Sequence, residues 1–220
     1  MSPADTEIST ILSFPVSRQV QALLDESVHE VISARYTTHP HGAFGKCSMY
    51  AIVGAQVLTM LTGTQCTAVC GGQIMDCGSD QYVVISPNRK ELRSARKLSE
   101  ISNYHCWIQV SPVDKGDTSP VIIDFTLRHD SYCAKLLKKP FNRCDLLPFL
   151  WEGMSYFDKP IPQELRHHPH LKDREYGWLW RNAHCEKLLQ QYIADNRAHF
   201  SLLSSLVLDT FANRIERLNS

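Results

Sequence analysis

The sequence has no surplus of charge: 23 lysines and arginines stand against 23 aspartates and glutamates in 220 residues. That balance removes the electrostatic basis for gripping nucleic acid or an anionic membrane. No run of about 18 apolar residues occurs, so no membrane-spanning helix is expected. The opening MSPADTEIST is polar and has no basic flank, which argues against a secretory leader. Internal repeats, low-complexity tracts and acidic loops of the calcium-binding kind are also missing.

Eight cysteines are present, at 47, 66, 70, 77, 106, 133, 144 and 185, but no two have C-x-x-C spacing. They are spread through apolar stretches, which fits reduced thiols in a cytoplasmic protein. A secreted, disulfide-bonded chain is the alternative that an even count leaves open. His167, His168, His170, His184 and Cys185 offer ligand types, yet Pro169 interrupts them and the spacing matches no closed site. Neither a metal nor a cofactor is expected.

Apolar residues make up 43% of the chain and charged residues 21%, ordinary usage for a globular protein. The length suits a single domain over 1–220, with a helical C-terminal extension from about residue 160. Its centre is Gly45–Gly63, GKCSMYAIVGAQVLTMLTG. Met49, Ile52, Val53, Gln56, Val57, Met60 and Leu61 recur there at helical spacing, and glycines close both ends. Cys47 falls in the first turn, where unpaired backbone N–H groups and the helix dipole favour an anion. A thiol so placed ionises more readily, and the thiolate is the reactive form.

Elsewhere, Val16–Arg35 reads as an amphipathic helix after a loose lead-in. The loop that follows, YTTHPHGAFG, holds His39 and His41 near Cys47. Thr67–Val69 and Gln73–Met75 read as short strands about Gly71-Gly72, and Tyr82–Ser86 as another. Arg89–Lys97 is a charged surface helix or loop. Tyr104–Val110 alternates, placing His105, Trp107 and Gln109 on one side and Cys106, Ile108 and Val110 on the other. The SPVDKGDTSP turn leads to a paired strand over Val121–Thr126. Helical periodicity then returns over Trp178–Ala194 and Leu202–Leu218.

Cysteine acyl chemistry needs a thiolate, an imidazole that exchanges its proton, and a group that orients the imidazole. Cys47 on a helix start, His105 on one strand and Asp124 on the next supply those types. The Cys47 backbone N–H is a natural oxyanion donor, and His41 is the candidate for a second.

Gly45-Lys46-Cys47, His105-Cys106-Trp107-Ile108-Gln109-Val110 and Ile123-Asp124-Phe125-Thr126 together resemble the transglutaminase-like branch of papain-like cysteine enzymes. In that branch G-x-C opens a helix, H-x-W-x-x-V forms one strand and D-x-T lies on the next. Phe125 stands where the family often has proline. The resemblance implies a papain-like α+β fold, a nucleophile helix packed on an antiparallel sheet; the helices expected at both termini, from Val16 and from Tyr176, are extra and have no counterpart in it. It implies Cys47 as nucleophile, His105 as general base and acid, Asp124 as its orienter and Trp107 beside the substrate cleft. The expected activity is acyl transfer from a peptide or protein amide, with hydrolysis preferred. An inactive binding module on the same fold and arylamine-type acetyl transfer are the alternatives.

Overall fold

The computed structural model describes residues 15–37, 41–111 and 119–219. In chain order these form α1 (Arg18–Ser33), α2 (Cys47–Thr62), β1 (Cys66–Gly78), β2 (Gln81–Ile85), α3 (Arg89–Ser94) and β3 (His105–Val110). There follow β4 (Val121–Asp124), α4 (Asp130–Leu136), β5 (Leu150–Gly153), β6 (Leu179–Arg181), α5 (Ala183–Asp195) and α6 (Arg197–Asn219). His39 and most of the turn after β3 lie outside the described residues.

α2 is the centre of the packing. Twelve of its sixteen residues are buried, and Gly63 ends it in the left-handed conformation at φ 66°. One side meets the sheet; α1 and α6 cover the other, leaving α2 between helices and strands. Arg214 on α6 clamps α1 through Glu26 and Glu30, at 2.7 and 2.6 Å. Ser204 of α6 donates to Gln56 of α2 at 2.8 Å, so the C-terminal helix is fastened to α2 directly.

The sheet runs β2-β1-β3-β4-β5, antiparallel throughout, with β6 also paired to β1. Its two faces bury different side chains, as strand alternation requires. Cys70, Cys106, Ile108 and Ile123 belong to the core around α2. Val69, Trp107, Ile122 and Leu179 form a second core on the opposite face, closed by Leu150, Met154 and Phe157. The result is an α+β architecture. Among the described residues no helix is long and apolar enough to cross a membrane.

Several local expectations need correction. β1 is one continuous strand of thirteen residues, not two strands about a glycine pair. Gly71 does not break it; the Trp180 carbonyl of β6 passes 1.9 Å from where a Cβ would stand, so only glycine admits that pairing. Trp178–Ala194 is not one helix, because Leu179–Arg181 joins the sheet and α5 begins only after the Asn182 cap. The aromatic stretch after Leu146 contributes β5, which pairs with β4 and covers the second core.

Candidate active site

Gly45 turns the chain into α2 at φ 71°, a left-handed conformation that a side chain would resist. The turn sets Cys47 at the first helical position, half-buried, with its sulfur 3.8 Å from the Tyr104 carbonyl. Asn103, just before, is itself left-handed at φ 54°, a geometry asparagine tolerates better than most residues. The approach to β3 is thereby bent so that the strand starts beside the helix end.

β3 and β4 bring the other two groups together. Ile108 pairs with Ile123. Extending that register by one residue sets Asp124 across from Trp107, diagonal to His105 and on the same face. His105 Nε2 and Asp124 Oδ2 are 2.8 Å apart, both side chains buried. The second Asp124 oxygen accepts from the Thr126 amide at 2.8 Å and from its hydroxyl at 2.6 Å. This is the physical content of the D-x-T pattern: threonine occupies the spare oxygen, leaving the carboxylate one orientation toward the imidazole. With Nε2 engaged, the other ring nitrogen is left for Cys47, and the two groups act on each other's protonation.

The charges follow from these contacts. Burial works against an imidazolium at His105, but the Asp124 carboxylate and the Cys47 sulfur outweigh it and raise its pKa well above the ordinary value. Burial likewise opposes the Asp124 anion, yet His105 and Thr126 hold its pKa below the usual carboxylate value. The Cys47 thiol is held down at about 6, first by a hydrogen bond from Cys106 and then, against burial, by His105. Cys106 is the second residue of β3, and behind it Cys70 and Cys185 continue a row of thiols into the core that act on one another. All eight cysteines are free.

Cys47 and His105 open onto a cavity of about 370 Å³, also lined by Gln73, His129, Asp130 and Cys133. Val84, Ile85, Leu136 and Leu137 give it an apolar wall. A second cavity of about 620 Å³ adjoins it, sharing Gly45, Lys46 and Asn103; its lining includes Lys97, Ser99, Gln191 and Asp195. Two chambers of different character, one mainly apolar and one more polar, therefore meet at the helix start.

Two expected site residues are placed elsewhere. Trp107 is 1% exposed and belongs to the second core, stacked on His105 at 6.1 Å, so it backs the imidazole and does not line the cleft. His41 is exposed and stacks on Tyr132 at 3.9 Å, and it does not itself line either cavity. Side-chain amides within the cleft belong instead to Gln73 and Asn103. Sequence patterns also pass over His129 and Asp130. His129 is tied through Tyr50 to His29, at 3.4 and 2.6 Å, and burial lowers both histidines to about 4, which keeps them neutral. Among the described residues no group of three His, Cys, Asp or Glu side chains is arranged to hold a metal.

No protein-family model and no curated protein matches this sequence. A solved crystal structure of a genomics target, described without a function, is similar to it in three dimensions: TM-score 0.54 over 88% of this chain and 79% of that one, at 14% identity. At that identity the likeness concerns the fold alone, an α+β arrangement of sheet and helices.

Proposed function

We propose that the protein performs thiol-dependent acyl chemistry on a peptide or protein amide through a thioester on Cys47. The observation that carries this reading is the unbroken line Asp124–His105–Cys47 ending in an open cavity. The Cys47 thiolate attacks the amide carbon and forms the C–S bond. The protonated His105 passes its proton to the leaving nitrogen as the C–N bond breaks. An acceptor then enters, gives a proton to His105 and attacks the thioester, and the C–S bond breaks to release the acyl product. Asp124 stays ionised and keeps the ring oriented through both halves. The Cys47 N–H, with an amide from Gln73 or Asn103, supports the developing oxyanion.

The order of cysteine on a helix, histidine on one strand and aspartate on its neighbour favours the transglutaminase-like, papain-like reading of the fold. Hydrolysis is the simplest outcome, since water requires no site of its own. The adjoining polar cavity favours a second outcome on the same thioester, transfer to an amine. Intact-mass analysis after exposure to amide and thioester probes tests the shared step. An acyl adduct on Cys47, lost in Cys47→Ala, is expected; no adduct with any acyl probe would overturn the reading.

A further inference from the structure

The cavity beside Cys47 contains a carboxyl group that the proposed acyl chemistry leaves unused. Asp130 begins α4, half-buried, and its side chain makes no hydrogen bond or ion pair among the described residues. It does not cap its own helix either: the amides of that first turn receive no side-chain bond. The groups that act on it are Asp124 of β4, His105 of β3, Arg143 beyond α4, and the thiols of Cys77 and Cys133. His129 precedes it. Arg143 is committed to Asp76 and Asp145, at 3.1 and 3.3 Å. A carboxyl group in a cleft, facing another carboxylate and lacking a partner, is costly to ionise unless a cation arrives.

The remainder of the chamber describes that cation's carrier. Val84 and Ile85 from β2 form one apolar side, and Leu136 and Leu137 at the end of α4 form another, 54% and 50% exposed. An apolar channel leading to an acid complements a methylene stem with a charged head. Cys47 and His105 both line this chamber, and neither lines the adjoining one. The group held here is therefore the one that stays on sulfur, the acyl part.

We propose that this chamber is a recognition subsite for a basic side chain, arginine foremost, on the acyl part of the substrate. Its stem lies along Ile85, Leu136 and Leu137 and its head pairs with Asp130. Arginine fits best because a planar guanidinium can engage both carboxylate oxygens at once. The inference rests on Cys47 being the nucleophile. A guanidinium is not an acyl acceptor, so recognition here is separate from any amine used in transfer.

Two peptidyl chloromethyl ketones, identical except for arginine or citrulline beside the electrophile, test it. The readout is the rate of Cys47 alkylation by peptide mapping, with exposed Cys144 as reference thiol in the same chain. In the wild type the arginine probe should react at least about tenfold faster, the scale of one charge-assisted hydrogen bond. Asp130→Asn should bring the ratio near one. Should that variant fold poorly, the wild-type ratio still decides, because it must rise with pH between 6 and 8 as Asp130 ionises. A ratio near one in the wild type, a flat ratio across that range, or an arginine preference that survives Asp130→Asn would overturn the subsite. Alkylation of Cys47 no faster than of Cys144 by either probe would instead overturn the nucleophile itself.

Discussion

Cys106, on the strand that also carries His105, acts on the sulfur of Cys47 and holds its thiol pKa down. Cys47 is thus supported from two consecutive residues of β3, the Cys106 thiol and the His105 imidazole. Removing the thiol tests the first support. Cys106→Ala should raise the Cys47 pKa by about one unit, since S–H is a weak donor and one unit is about 1.4 kcal/mol. Cys106→Ser, which keeps a donor, should leave it near the wild-type value. Alkylation of Cys47 across pH measures both.

Asp124→Asn keeps the shape of the orienting group and removes its charge. Loss of the carboxylate in an analogous triad lowers turnover by about 10⁴, and a fall of about 10²–10⁴ is expected here for any acyl substrate found. Alkylation of Cys47 at pH 7 should fall less, because Cys106 still supports the thiolate. Thr126→Val, which removes one of two bonds to the spare Asp124 oxygen, should cost less again. Turnover and alkylation measured on the three proteins give the order.

Gly54 sets how closely α2 approaches the strands. A Cβ there would lie 2.6 Å from Ile108 Cδ1 and 2.8 Å from the Phe125 ring. Phe125 stands between Asp124 and Thr126, so the ring cannot retreat without moving the carboxylate. Gly54→Ala should destabilise the fold by about 1–3 kcal/mol, as overpacking does. Denaturant unfolding followed by fluorescence measures it.

Asp130 gives stability a definite slope with pH. Burial, reinforced by Asp124, raises its pKa to about 8. The folded state then holds a proton that the unfolded chain releases near 4. Its contribution is therefore fully present below pH 4 and is lost as pH rises toward 8. Asp130→Asn removes this dependence. Unfolding curves taken between pH 5 and 8.5 should show a smaller decline for the variant than for the wild type.

The triad is legible in the sequence because each of its members has a local signature: a helix start for Cys47, an alternating strand for His105, a following strand for Asp124. The face shared by His105 and Trp107 is legible too, from alternation alone. What covers that face is not. Leu150, Met154, Phe157 and Leu179 arrive from 43 to 72 residues away and bury the indole, which is why Trp107 is core and not cleft. Asp130 lies in a polar stretch, LRHDSYC, with no periodic pattern to single it out; only the packing of α4 against β1 brings it to the thiol. His41, close to Cys47 in sequence, is held off by the Tyr132 ring. β6 escapes notice for a similar reason, since three residues carry too little alternation to be told from a helix start.

The pH profile of Cys47 alkylation by iodoacetamide, mapped by mass spectrometry in the wild type and in His105→Ala, is the most direct test of an activated nucleophile. With its thiol held down by Cys106 and His105, Cys47 should reach half its maximal rate near pH 6. His105→Ala should shift that point upward, toward the value of about 8.5 for a free thiol. A wild-type Cys47 that reacts only above about pH 8, or a midpoint unmoved by loss of the imidazole, would contradict it.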